Sequence, residues 1–170
     1  MALVFDQLGA ARDQMERVKG LVAQVGLRYD DLLAVPVGVG IGVAFDEARF
    51  LVLSVLGGGS ESQLLLTAGV AHDIVDDRLA GLEFCNGHTC ANAAFPCVLH
   101  RADDGTDVLV QQRYPIEMLV RAPDYFAAML NVLPAYAQQV RADLAAETAL
   151  GGTGYRWPGD VDRLLRRSLL

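Results

Sequence analysis

The chain has 170 residues, 52% of them hydrophobic, and a net charge of −7. A domain of this size buries roughly 70% of its extended-chain surface and can hold a core unaided, yet no uncharged apolar run approaches the ~20 residues that cross a bilayer, so membrane insertion is excluded. The acidic balance argues against a nucleic-acid partner, which needs a basic face. Three cysteines confined to Cys85–Cys97 argue against a disulfide framework, and an amino end that meets Asp6 without the parts of a secretory signal points to the cytoplasm.

From Gln7 to Val25 the apolar residues Leu8, Ala11, Met15, Val18, Val22 and Val25 recur every three or four positions, which predicts an amphipathic helix stopped by Gly26. Val37, Val39, Ile41, Val43 and Phe45 then alternate with Gly38, Gly40, Gly42 and Ala44. That pattern is a strand with one bulky and one bare face, and the bare face suits a closely packed helix better than another chain's backbone. The three glycines lack the spacing of a dinucleotide-binding fingerprint. Strands follow over Arg49–Leu56 and Gln63–Val70, joined through Gly57, Gly58, Gly59 and Ser60.

A second helix is predicted from Asp73 to about Ala93, with Asp73, Asp76 and Asp77 at its positive end. His72 beside these aspartates could belong to a metal phosphohydrolase, but a helix cap accounts for them more simply. Strands over Pro96–Arg101 and Asp107–Tyr114 flank an Asp-Gly hairpin signal. A third helix begins near Pro123, its apolar face running through Phe126, Leu130, Leu133, Ala137, Val140 and Leu144, and Pro134 is expected to kink or break it. Gly151, Gly152 and Gly154 read as a linker. Beyond them Val161, Leu164, Leu165, Ser168 and Leu169 form a stripe beside Arg163, Arg166 and Arg167, a short basic helix that must dock on its own domain, a second subunit or a partner. The sign of the charge changes there: residues 1–150 carry 10 basic and 19 acidic side chains, the last 20 four and two.

Five potential metal ligands fall within 16 residues: Cys85, His88, Cys90, Cys97 and His100. Zinc would be their metal, but there is no two-residue cysteine knuckle. On a helix Cys90 lies about 140° round from Cys85, and on a strand Cys97 and His100 point to opposite faces. Buried thiols are the simpler reading, so no cofactor is expected. Cys85 and His88 could share a helix face as nucleophile and base, with no third residue to orient them.

The order helix, three strands, helix, two strands, helix is that of the type III secretion chaperone-like fold. Locally, Phe84, Cys85, Asn86, Gly87, His88 and Thr89, then Phe95, Pro96, Cys97, Val98 and Leu99, then Asp107 to Val110 resemble the bacterial sensory transduction regulator family. There a helix ends in an asparagine-containing motif, matched by Asn86, and a link carries an aromatic and a proline, matched by Phe95 and Pro96; Thr89 stands where a second asparagine is expected. The resemblance implies a dimer-forming, chaperone-like module that binds protein segments and has no catalytic residues to transfer. Asn86 would satisfy backbone groups at the helix-to-strand corner and Phe95 would fill the core beneath it.

The expected architecture is therefore α+β, a largely antiparallel five-stranded sheet packed by helices in the order α-β-β-β-α-β-β-α. Residues 1–150 form the domain, and 151–170 form a glycine-rich linker with a short basic helix. The expected function is non-enzymatic binding of another polypeptide, chaperone-like or regulatory, by a homodimer. The alternative is a small metal-binding or thiol-dependent enzyme built on Cys85 to His100.

Overall fold

The computed structural model describes all residues except Met1, 33–38, 58–60, Asp76, Thr148 and Leu170, and for residues 2–8, Glu147 and Leu169 the backbone alone. Val37, Gly38, Gly58, Gly59, Ser60 and Asp76, and the side chains of Leu8 and Leu169, thus lie outside the described residues. The opening helix α1 (Ala2–Gln24) buries Ala11, Met15, Val18, Leu21 and Val22. Gly26 ends it at φ 78°: its N–H reaches the Ala23 carbonyl and that of Leu27 reaches Val22, a Schellman closure.

Strands β1 (Asp30–Asp31), β2 (Val39–Ala44), β3 (Phe50–Leu56), β4 (Gln63–Ala71), β5 (Cys97–Ala102) and β6 (Gly105–Pro115) form one sheet in the order β1-β2-β3-β4-β6-β5, every pairing antiparallel. Among the described residues the sheet has six strands where five were expected. The extra one is the acidic pair Asp30–Asp31 against Gly42 and Ile41, too short for any periodicity to announce.

Helix α2 (Arg78–Ala91) starts five residues later than its sequence suggested, because Asp77 is the cap: its carboxylate accepts from Ala80 N–H at 3.0 Å. Asp73 stands outside the helix at φ 55°. Helix α3 (Ile116–Arg121), one and a half turns inserted after β6, was not expected; it buries Ile116 and Leu119. Helix α4 (Pro123–Glu147) runs through Pro134 as one element. A proline there takes one intrahelical partner from the Leu130 carbonyl, and burial of Phe126, Leu130, Leu133, Ala137, Val140 and Leu144 along one face outweighs that loss.

Alternation splits the sheet into two faces. The first carries Ile41, Val43, Leu51, Leu53, Leu64, Leu66, Val108 and Val110, and with α1, α2, α3 and α4 it makes the main core. The second carries Gly40, Gly42, Phe50, Val52, Ser54, Gly69, Asp107 and Leu109. What covers it is the carboxyl-terminal segment, ending in helix α5 (Val161–Leu169).

Candidate functional site

The segment leaves the core at buried Leu150 and turns through Gly151 and Gly152, both at positive φ. Thr153 pairs with His72 as a single antiparallel bridge, with 2.8 Å bonds in both directions. Tyr155 lies buried directly over Gly69, where a β-carbon would collide with its ring; the same site carries the β4 irregularity between Gly69 and Ala71. Trp157 packs edge-on against Phe50 at 5.6 Å and covers Gly42, whose missing β-carbon would fall 2.5 Å from its ring. Leu165 takes the space over Gly40, Leu164 is fully buried, and Ser168 hydrogen-bonds Ser54 across 2.9 Å. The bare track foreseen in β2 is thus occupied by the protein's own last helix and the aromatic strap before it.

At the centre of this contact stands Asp107, with no exposed surface. Its carboxylate accepts from Tyr155 Oη at 2.6 Å, from Arg167 Nε at 2.7 Å, and from Arg163 Nη2 at 2.5 Å and Nε at 3.1 Å. Arg163 and Arg167 sit one turn apart on α5, so both guanidinium groups reach the same anion. Each has a second partner nearer the surface: Arg163 bonds Asp73 at 2.9 Å, and Arg167 bonds Asp104 at 2.5 Å. Asp73 also accepts from His72 Nδ1 at 2.7 Å. Burial alone would push the Asp107 pKa up, but the hydrogen bonds from Arg163, Tyr155 and Arg167 outweigh it and hold the carboxyl below its ordinary range. Asp73 is lowered by His72 and Arg163, and Asp104 by Arg167. Burial and the bond to Asp107 raise the Tyr155 hydroxyl.

The cysteine and histidine candidates are scattered by comparison. Cys85 of α2 and Cys97 of β5 meet in the first-face core with their Sγ atoms 3.5 Å apart, both as free thiols. The Cys97 hydrogen bond lowers the Cys85 pKa, while the Cys85 contact and burial raise that of Cys97. Cys90 is exposed. The His88 ring packs at a tilt against Phe84, centroids 4.6 Å apart, with Nε2 3.8 Å from Asp143. His100, paired across from Asp107, lies on the opposite face from Cys97, where burial and then Arg167 lower its pKa. Among the described residues no three His, Cys, Asp or Glu side chains converge as metal ligands.

Of the motif residues, Phe84 is buried, and Phe95 packs on Tyr136 of α4 at 5.3 Å just before Pro96. Asn86, expected at the corner, is instead exposed inside α2, five residues before its end. The corner is held by Thr89, whose Oγ1 donates to the Cys97 carbonyl and accepts from its N–H. That hydroxyl substitutes for a neighbouring strand at the start of edge strand β5. Beside this edge α2 exposes Leu79 and Leu82, preceded by exposed Val75.

Sequence reasoning missed Asp107, Tyr155, Asp73 and Asp104 as one site. One signal was present: an aspartate in phase with apolar Leu109 on a strand, and two arginines at helical spacing in a tail of opposite charge.

No protein-family model matches the chain, and no curated protein matches it significantly. Among solved structures, the crystal structure of YbjN from E. coli, described as "a putative transcription regulator", aligns with a TM-score of 0.57. The match covers 81% of this chain and 95% of YbjN at 11% identity. At that identity the likeness shows the fold alone: the α+β architecture with its antiparallel sheet is YbjN-like. Among the described residues no helix is long and apolar enough to cross a membrane.

Proposed function

We propose that this protein is a non-enzymatic module that binds another polypeptide, regulatory or chaperone-like in role and working as a homodimer. One observation carries the reading: the second face of the sheet accommodates a helix by shape, through Gly40 and Gly42, and by charge, through buried Asp107. A face whose glycines leave room for the apolar side chains of a docked helix, and whose carboxylate answers its arginines, has the features by which helix-in-groove recognition works. The YbjN-like fold supports a regulatory role by analogy only. The test is fluorescence anisotropy of the full chain against a panel of labelled helical peptides. Saturable binding of a subset is expected; no binding by about 100 µM to either the full chain or its Leu165→Ala variant, in which the docked tail is weakened, refutes the reading.

The homodimer is supported by Leu79 and Leu82 of α2, the helix packed on edge strand β5, which are 67% and 37% exposed, and by Val75 just before it, 58% exposed. Large apolar side chains facing water are stabilised by a partner surface. Replacing Leu79 and Leu82 together by aspartate should convert a dimer to monomer in light scattering after size exclusion, with little change in Tm. An unchanged mass removes α2 as the interface. The thiol-based alternative rests on the Cys85 and Cys97 contact; a Cys85→Ser variant that still binds peptide separates it from the binding reading.

A further inference from the structure

We infer that the second face is a site for a basic amphipathic helix of another polypeptide, with two arginines one turn apart, and that α5 is its resident competitor. This rests on the polypeptide-binding reading above and specifies its partner. The argument starts at Asp107. A carboxylate with no exposed surface is strongly destabilising when its cations are removed. An occupant that fills the apolar track but brings no guanidinium leaves that charge stranded, so the site discriminates by penalty as much as by attraction. Arginine suits the geometry better than lysine, because Asp107 takes two contacts from Arg163 and one from Arg167, and a forked guanidinium also reaches Asp73 and Asp104 at the rim.

The apolar half of the specification comes from Leu164 and Leu165 against Phe50, Val52 and Leu109. Residues 1–150, with 10 basic against 19 acidic side chains, favour a basic occupant over a neutral one.

Why α5 competes, and is not simply part of the core, follows from its length and tether. Nine residues are too few to be helical alone, so the helix exists only while docked. It is joined to the body through the strap from Gly151 to Asp160, which is itself held by the Thr153–His72 bridge and by Tyr155 and Trp157, so its docking is intramolecular and has the advantage of a high effective concentration over any free peptide. A free peptide of equal intrinsic affinity therefore loses to α5 until α5 is weakened or the partner is better.

The probe is a fluorescein-labelled synthetic peptide of residues 155–170, titrated by anisotropy into the full chain and into two full-chain variants with weakened tails, Leu165→Ala and Leu165→Asp. The expected order of affinity is wild type, then Leu165→Ala, then Leu165→Asp, with a gain of about tenfold or more at the last step as the tether's advantage is removed. The same peptide with glutamine at positions 163 and 167 should bind about tenfold or more weaker to every protein. Circular dichroism confirms that each variant is folded, and Leu165→Ala carries the test if the aspartate variant is not. Variants that bind the peptide no better than wild type, or a glutamine peptide that binds equally, overturn the inference. If the tail variants gain nothing while the helical panel still binds the wild-type chain, this inference falls and the binding reading stands. If the panel also finds no ligand, both fall.

Discussion

Replacing Asp107 by asparagine tests the central claim that one buried carboxylate fastens the last helix to the sheet. The amide keeps the shape and one acceptor oxygen but removes the charge that answers Arg163 and Arg167. The Arg167 side chain is only 2% exposed, so it cannot recover its loss from water. Breaking a buried ion pair on one side costs about 3–5 kcal/mol. The lower end applies here, because Asp104 still faces Arg167 and Asp73 still faces Arg163, each about half exposed. About 3 kcal/mol corresponds to roughly a hundredfold change in the docking equilibrium. Trp157 is the single tryptophan, and it lies in the docked strap, so its emission reads the contact directly. In a urea titration its transition should move to lower denaturant in the variant. If tail and body unfold together, the same loss appears in the single transition seen by circular dichroism. A double-mutant cycle with Arg167→Gln should show strong coupling. A destabilisation below about 1 kcal/mol, the range of an exposed pair, would refute the picture of a closed, desolvated network.

Three further outcomes follow from the same geometry. Gly42→Val puts side-chain atoms into the Trp157 ring and should red-shift its emission, with a cost of about 1–3 kcal/mol, while α1 to α4 keep their circular dichroism; an unshifted spectrum contradicts the seating of the strap. Asp107, Asp73 and Asp104 all have lowered folded pKa values, so their contribution is complete above the unfolded value of about 3.9 and is lost as pH falls through the folded values. Trp157 emission should hence stay flat from neutral pH down to about 4.5 and shift only below that; a transition near pH 6 would point to a histidine instead. Iodoacetamide should add once to the native protein, at exposed Cys90, and three times after denaturation, because Cys85 and Cys97 are buried. Native labelling at Cys85 would contradict the closed α2–β5 contact.

The likeness to YbjN bears on architecture, and apolar periodicity together with the family resemblance points to the same α+β arrangement. Where reading and structure part, the cause is usually a contact distant in sequence. Asp73 belongs by composition to a helix start, yet Arg163, 90 residues on, holds its carboxylate outside the helix. Pro134 should break a helix judged alone, but a buried apolar face keeps α4 continuous. Asn86 suited the corner by motif, while Thr89 had the side chain within reach of Cys97. The cysteine and histidine cluster, dense along the chain, is divided between two faces of the sheet by the alternation of β5.

The sequence by itself determined the elements whose signal is short-range. The three- and four-residue spacing of α1, the glycine alternation of β2 and the β5–β6 hairpin could each be read because side-chain direction repeats with the backbone's own period. It also determined that the last 20 residues end in a short basic amphipathic helix in search of a surface. Which surface, and that its arginines would close on Asp107, only the tertiary structure decided. A buried charge selects its partners after the chain has folded, through desolvation and proximity, and no local period records a contact between residues 56 or 60 positions apart.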